Sequence, residues 1–177
     1  MTGREGPPDL TQSKALGKGM SVLAWVTLLG LLTLFFQDRL ADQANPNRHV
    51  SSGRGDDGRI EVVLQRNRMG HYVANGAING VPVTFLLDTG ATGVAISPEL
   101  AQEVRAPRGQ AVMSQTANGT VRAYLTRLES VRLGAIEQNQ VRATIAPGLG
   151  TEQVLLGMSF LKNLEMIQRG DQLTLRQ

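Results

Sequence analysis

The sequence predicts an all-β, barrel-like domain that follows a single apolar helix near the N-terminus. From residue 59 onward the chain is rich in Val, Ile, Leu and Thr, and Gly or Asn-Gly interrupts the apolar runs at short intervals. That pattern is typical of many short strands joined by tight turns. Residues 19–37 carry no charge and are almost wholly apolar. The 177 residues are therefore enough for one domain, residues 59–177, and a tail.

The apolar segment of residues 19–37 predicts a transmembrane helix. Nineteen residues at about 1.5 Å each extend about 28 Å, which is close to the hydrocarbon thickness of a bilayer. A cleaved signal peptide is the alternative. The apolar region of a signal peptide is usually shorter than residues 19–37, however, and no Ala-x-Ala cleavage site follows Phe36. Residues 1–18 are then a short N-terminal tail.

The basic residues around this helix indicate its orientation. Arg4, Lys14 and Lys18 precede it, whereas Arg39 and Arg48 follow it. This small excess places the N-terminus in the cytoplasm and the domain on the other side of the membrane.

Residues 38–58 predict a flexible linker between the helix and the domain. They are polar and contain Asn45-Pro46-Asn47, Ser51-Ser52-Gly53 and Gly55-Asp56-Asp57-Gly58, which are turn and loop compositions.

Within the domain, two short helices and one prominent hairpin are expected. Pro98–Glu103 predicts a helix because Ser97 can cap it and Pro98 suits its first position. A second short helix is expected near residues 159–162. Asn118-Gly119 lies between strand-forming residues of the segment 111–124, which predicts a hairpin.

One stretch places a carboxylate in a tight turn directly after an apolar strand: Phe85-Leu86-Leu87-Asp88-Thr89-Gly90-Ala91-Thr92. An ordinary Asx-type turn is one interpretation, because Asp and Gly are common turn residues. The apolar strand before the turn and the apolar run Val94-Ala95-Ile96 after it favour a functional motif. The stretch resembles the active site of the retropepsin-like aspartic proteases, specifically the bacterial single-domain, membrane-anchored branch.

The resemblance implies a closed β-barrel protomer with Asp88 as the catalytic acid/base residue. Thr89, Gly90, Ala91 and Thr92 would form the active-site loop. The Thr89 hydroxyl would bond the backbone of a neighbouring loop, and the Gly90 amide would support the carboxylate. Such enzymes use two carboxylates about 3 Å apart that share one proton and activate a water molecule. No cofactor is implied.

The second carboxylate has no counterpart elsewhere in the chain. Asp171 lies in a polar turn, and Asp56 and Asp57 lie in the expected linker. A second copy of the chain must then contribute its own Asp88, which predicts a two-fold homodimer with the active site on its axis.

Two further segments match the layout of that family. The hairpin would supply a flap over the substrate, at Ala117, Asn118, Gly119 and Thr120, although an ordinary surface hairpin has the same sequence pattern. The apolar-apolar-Gly motif Leu155-Leu156-Gly157 is expected to have a structural role.

An internal repeat supports a pseudo-symmetric protomer. Residues 73–78, followed by a turn and Val81, match residues 131–136, followed by a turn and Val141. The first copy leads to Asp88 and the second to Gly157.

Other chemistries have little support in the sequence. The chain has no cysteine and two histidines, His49 and His71, so zinc ligands and a Cys/His nucleophile are not provided. The net charge of +3 comes mostly from dispersed arginines without an aromatic-basic stripe, which argues against nucleic-acid binding.

These observations predict an inner-membrane, single-pass aspartic endopeptidase with a periplasmic protease domain. Its partners would be a second copy of itself, a peptide or protein substrate, and the lipid bilayer through residues 19–37. The alternative is a non-catalytic dimerisation or peptide-binding module with the same fold.

Overall fold

The computed structural model describes residues 10–116, 119–150 and 153–177. The chain divides into two compact units, one ending at Ala41 and the other running from Asp42 to Gln177. The helices are α1 (Leu10–Ala44), α2 (Pro98–Glu103) and α3 (Met158–Leu161). The strands are β1 (Ser51–Arg54), β2 (Ile60–Gln65), β3 (Val73–Ile78), β4 (Val81–Leu87), β5 (Val94–Ile96), β6 (Ala111–Thr116), β7 (Gly119–Leu133), β8 (Ile136–Ile145), β9 (Gln153–Leu156), β10 (Glu165–Arg169) and β11 (Gln172–Arg176).

Helix α1 is the main element of the first unit. Its segment Lys18–Ala44 is long and apolar enough to cross a membrane, and it is the single such helix among the described residues. The hydroxyls of Thr27 and Thr33 donate to carbonyls one turn earlier, at 2.9 and 2.8 Å, so these polar groups are satisfied within the helix. Composition and position make this segment a candidate membrane span or signal sequence.

The second unit is built around a closed barrel. Its strands run in the order β3-β4-β9-β5-β8-β7, and β7 pairs back to β3 through Ala77↔Arg132 and Ile78↔Val131. Strand β6 extends the sheet beyond β7. Closure leaves no free edge within the ring itself, and it confirms the barrel that the sequence predicts.

Aliphatic side chains and two phenylalanines fill the barrel. Phe85 and Phe160 are fully buried among residues such as Ile78, Leu128 and Leu156. Gly76 lies under Phe85, and a Cβ there would collide with the phenyl ring and with the Arg132 carbonyl. Glycine in the middle of β3 therefore makes room for the largest side chain of the core.

A second sheet, in the order β1-β2-β11-β10, is antiparallel throughout. Its inner face contributes to the same core cluster as the barrel. The buried residues of that face are Val62, Leu64, Leu173 and Leu175.

The expectation of a flexible linker over residues 38–58 is wrong for residues 38–44, which continue α1, and for residues 45–54, which form part of the folded unit. Ser51–Arg54 pairs with β2 as β1, and the Asn47 side chain is buried at 4% exposure. Its amide donates to the carbonyls of Gln65 (2.9 Å) and Val73 (2.7 Å), and its carbonyl oxygen accepts from the Gln65 amide at 2.7 Å. A polar composition predicted a loop, but these hydrogen bonds fix the segment between β2 and β3.

The structure contains two hairpins that correspond to the internal repeat. Residues 73–78 and 131–136, however, do not occupy equivalent positions in these hairpins. Hairpins β3–β4 and β7–β8 lead to Asp88 and Gly157, respectively. Gly76, however, lies inside β3, whereas Gly134 is in a turn at φ 58°. The turn that corresponds to it is Asn79-Gly80, at φ 49° and 81°. Strand β8 also runs without a turn from Ile136 to Ile145.

The local predictions for helices and hairpin are confirmed. Helix α2 has the predicted bounds, and the Ser97 hydroxyl oxygen accepts from the Leu100 amide at 3.1 Å. Helix α3 begins at Met158, one residue earlier than expected. Strands β6 and β7 pair from Ala111↔Tyr124 to Thr116↔Gly119.

Asn47→Ala should lower the free energy of unfolding by about 2–4 kcal/mol, because it leaves buried backbone groups of β2 and β3 without partners. Asn139→Ala is the matched control: Asn139 is exposed, so its loss should change stability by less than about 0.5 kcal/mol. Urea unfolding of both variants measures the difference. Equal stabilities would show that the segment around Asn47 does not belong to the cooperative unit.

Candidate active site

The ends of two neighbouring barrel strands lie side by side. Strands β4 and β9 are parallel and pair in the register Phe85↔Val154, Leu86↔Leu155 and Leu87↔Leu156. The Asp88 amide continues this ladder by donating to the Leu156 carbonyl at 3.2 Å. Asp88 and Gly157 are therefore neighbours, although they are far apart in sequence.

The loop that follows β4 holds the Asp88 carboxylate in place. Its Oδ1 accepts a hydrogen bond from the Gly90 amide at 2.8 Å, as the sequence predicted for that amide. The Ala91 amide donates to the Asp88 carbonyl at 3.2 Å, and the Ala91 carbonyl accepts from the Met158 amide at 2.9 Å. These bonds connect the loop both to itself and to the start of α3.

Gly157 lets this loop approach β9. A Cβ at Gly157 would collide with the carbonyl oxygen of Gly93 and lie 2.5 Å from that of Ala91. Both atoms belong to the backbone, so neither can rotate away as a side chain could. This contact is the physical reason why glycine follows Leu155 and Leu156 in the apolar-apolar-Gly pattern.

Ser159 joins the far end of the loop to the barrel. Its hydroxyl oxygen accepts from the Val94 amide at 3.0 Å, and the hydroxyl donates to the Arg142 carbonyl at 2.7 Å. The side chain thus links β5, β8 and α3. Nothing in the sequence around Ser159 predicted this role.

A cavity of about 520 Å³ opens beside Asp88. The active-site loop, the β6–β7 hairpin and the segment after β8 all contribute to its lining. Its lining residues are Asp88, Gly90, Ala91, Thr92, Gly93, Ala95, Ser114, Gln115, Val121, Thr144, Ala146, Pro147, Gly148, Leu149 and Leu155.

Most residues of the predicted active-site loop line this cavity. The hairpin residues that line it differ from those that the sequence predicted. Gly119 and Thr120 are exposed near the hairpin end and do not line the cavity in the part of the chain described. Ala117 and Asn118 lie outside the described residues. Ser114, Gln115 and Val121 line the cavity instead. Ser114 and Val121 are a cross-strand pair, so the strand register could have indicated them once the hairpin was recognised.

The segment 146–149 was missed by sequence reasoning. Ala146 is buried, and Pro147 and Gly148 follow it as turn residues. The amide of Ala146 donates to the Ile96 carbonyl at 3.0 Å, which holds the start of this segment against β5. Its composition predicts a loop but gives no sign that the loop borders Asp88.

Thr89 lies in the active-site loop directly after Asp88. Its side chain is exposed, and no described residue forms a hydrogen bond or ion pair with its hydroxyl. Gly90 is exposed as well. The active-site loop therefore presents a polar and sterically open surface to its surroundings.

Asp88 is the one titratable side chain that lines the cavity among the described residues. A single carboxylate can act as an acid or as a base. Peptide hydrolysis by a pair of carboxylates requires one group to act as the acid and one to act as the base in the same step. No group of three or more His, Asp or Glu side chains in the described parts of the chain could hold a metal ion.

Comparisons with known proteins agree with this geometry. Residues 74–163 match the family model described as "gag-polyprotein putative aspartyl protease". An "uncharacterized protein in cobV 5′ region" of Sinorhizobium sp is 38% identical over 184 residues, covering 97% of this chain and 79% of the relative. An uncharacterized protein of Rickettsia prowazekii is 32% identical over 109 residues, covering 59% of this chain and 46% of the relative.

A solved structure with similar architecture also resembles the chain. It is the crystal structure of a retropepsin-like aspartic protease from Rickettsia conorii, with a TM-score of 0.55 and 29% identity, covering 72% of this chain and 94% of that one. The closed barrel, the Asp-Thr-Gly loop beside the apolar-Gly turn, and these matches lead to one conclusion. The chain belongs to the gag-polyprotein aspartyl protease family and has the retropepsin-like fold.

Proposed function

We propose that the protein is a membrane-anchored aspartic endopeptidase that is active as a homodimer. The observation that carries this proposal is the position of Asp88, a lone carboxylate held by its loop at the edge of a peptide-sized cavity. Family membership supports the reaction class. Asp88 is the single acidic side chain among the described residues that line the cavity, so a second chain would have to supply the other carboxylate.

In the proposed site, two Asp88 carboxylates meet across a two-fold axis and share one proton, because like charges that close cannot both ionise. One acts as the base toward a water molecule, and the other acts as the acid toward the carbonyl oxygen of the scissile bond. The Gly90 amide fixes Oδ1 in each copy, which orients both carboxylates toward the axis. The reaction needs no cofactor.

Thr89 would act as a positioning residue between the two loops. Its exposed hydroxyl has no partner within the described part of its own chain, so it is available to bond the backbone of the second loop. Gly90, also exposed, offers no Cβ that would keep the two loops apart.

The cavity walls favour extended peptides with apolar side chains. Val121, Leu149 and Leu155 supply apolar surface, and Ala91 and Ala146 leave room beside it. The hairpin residues Ser114 and Gln115 also line the cavity and offer polar groups. Such a combination suits a peptide substrate whose backbone is held by hydrogen bonds and whose side chains are held by apolar contacts.

Helix α1 would anchor the protein in the inner membrane as a single pass, with the N-terminus cytoplasmic and the protease domain periplasmic. The support is its length and apolar composition together with the basic residues that precede it. Confinement in one membrane would raise the effective concentration of the two copies and so favour the dimer.

Asp88→Asn should lower peptide cleavage by about 10²- to 10⁴-fold or more, because it removes the acid/base group without changing side-chain volume. Asp56→Asn is the matched control, since it makes the same substitution at an exposed residue far along the chain from the motif. Cleavage of an unbiased peptide library by the full-length protein in detergent measures both. Circular dichroism checks the fold of each variant. Equal turnover by wild type and Asp88→Asn would contradict the assignment, and peptide binding without cleavage by wild type would favour the non-catalytic module.

Asp88→Asn should also inhibit the wild-type chain by forming mixed dimers with a single catalytic aspartate. At constant wild-type concentration and complete subunit exchange, an equal amount of the variant should reduce activity to about one half, and a ninefold excess to about one tenth. The same mass of an unrelated protein controls for dilution effects. Activity that does not change with added variant would mean that one chain carries the whole site.

A further inference from the structure

A second cavity, of about 370 Å³, lies between the β7–β8 pair and the segment around α3. It shares no lining residue with the cavity beside Asp88 in the parts of the chain that the structure describes. The proposed peptide site therefore does not account for it. We call it the basic cleft; it is lined by Arg127, residues 138–142, Ser159, Lys162 and Asn163.

Three cationic side chains line the basic cleft, and no acidic side chain does so among the described residues. Arg127 on β7 lies directly opposite Arg142 on β8, and Lys162 follows at the C-terminal end of α3. All three are exposed. Glu129 is the acid nearest to Arg127 along β7, but it does not line the cleft. None of the three cations forms an ion pair within the described residues.

The facing pair of arginines is unfavourable without a partner. Side chains directly opposite each other on antiparallel strands have Cβ atoms about 4.5–5.5 Å apart, and like charges in such a pair are destabilising. An anion between Arg127 and Arg142 would replace this repulsion with two attractions. Guanidinium groups donate paired hydrogen bonds to phosphate oxygens, so a phosphate group suits this position.

Hydrogen bonds hold other parts of the cleft in place. The Gln138 side-chain amide donates to the Phe160 carbonyl at 3.0 Å, and its oxygen accepts from the Asn163 side chain at 3.2 Å. The Arg127 guanidinium donates to the Gln140 carbonyl at 3.1 Å. Ordering these groups in advance lowers the entropy cost of binding a ligand. Side-chain amides also offer uncharged donors to a ligand oxygen.

We propose that the basic cleft binds a phosphate group, carried either by a small soluble molecule or by a lipid headgroup. Arg127 and Arg142 donate to the phosphate oxygens from the two strands, and Lys162 adds a third positive charge. The volume of the cleft lies in the lower part of the range for small-molecule sites, about 300–1,000 Å³. It therefore has room for the phosphate and part of the group that carries it.

The cleft lies beside the Ser159 bridge without depending on it. The Ser159 hydroxyl donates to the backbone carbonyl of Arg142 and accepts from the Val94 amide. A substitution of the Arg142 side chain leaves that carbonyl in the chain. Variants at Arg142 therefore test the ligand without removing the bond that connects β8, α3 and β5.

Calorimetric titration of inorganic phosphate into the full-length chain in detergent tests the site, with sodium chloride keeping the ionic strength constant. Arg142→Gln should bind phosphate about tenfold more weakly than wild type or worse, because it loses charge-assisted hydrogen bonds. Arg132→Gln is the matched control: Arg132 is exposed on the same strand as Arg127 but does not line the cleft. It removes the same charge and should bind phosphate as wild type does.

Arg142→Glu gives a second readout that needs no ligand. It places a carboxylate opposite Arg127 and so replaces the like-charge pair with an ion pair. Without phosphate, this variant should unfold at a temperature about 1–4 °C higher than wild type. Phosphate should raise the unfolding temperature of wild type but not that of Arg142→Glu, because the introduced carboxylate repels the anion. Circular dichroism during heating measures both effects.

Mixed micelles distinguish the two sources of the phosphate group. If a lipid headgroup occupies the cleft, phosphatidic acid should raise the unfolding temperature of wild type and weaken its apparent affinity for inorganic phosphate. Arg142→Gln should show neither effect, and zwitterionic phosphatidylcholine is the lipid control. Phosphate binding that phosphatidic acid does not change would assign the site to a soluble ligand.

Three results would overturn the proposal. The first is wild-type protein that binds no phosphate, and the second is equal phosphate affinity in Arg142→Gln and Arg132→Gln. The third is binding of an oligoglutamate peptide that requires Arg142 when phosphate does not bind, which would assign the cleft to an acidic protein segment. None of these measurements uses peptide cleavage, so the phosphate site and the proposed function can fail separately.

Discussion

The parallel pairing of β4 with β9 is the constraint on which the rest of the site depends. It continues through the Asp88 amide and the Leu156 carbonyl, so the catalytic candidate and Gly157 become adjacent. Gly157 can lie there because it has no Cβ to meet the carbonyls of Ala91 and Gly93. Ser159 then bonds β5 and β8 across the start of α3. The position of one carboxylate thus follows from contacts among three segments of the chain: the Asp88 loop between β4 and β5, the β9–α3 segment, and β8.

This rigidity suits the proposed site, which a second copy of the chain would complete. In that dimer, each loop would have to meet its symmetry mate within about 3 Å and would tolerate little movement. The bonds within the loop and to α3 hold Asp88, while Thr89 and Gly90 remain exposed toward the outside. One side of the loop is fixed by its own protomer, and the other side is free to bind. In the proposed dimer, folding of the barrel would therefore be separate from assembly of the site.

The second sheet shows how the N-terminal segment contributes to the same unit. Asn47 and β1 attach residues 45–54 to β2 and β3, and β11 attaches the C-terminal hairpin to β2. Both ends of the domain are thereby bound within one protomer.

The sequence by itself determined the elements whose signals are local. The Asp-Thr-Gly turn after an apolar strand, the capped helix at Pro98–Glu103 and the hairpin near Asn118-Gly119 could all be recognised, because capping and turn formation depend on neighbouring residues. The closed barrel followed from strand composition and family resemblance. Only the tertiary structure decided which distant residues meet. Asn47 looked like part of a linker because its partners on β2 and β3 lie 18 and 26 residues away. Ser114, Val121 and the segment 146–149 reach the cavity because strand register and barrel closure bring them there, and those long-range pairings leave no local pattern in the chain.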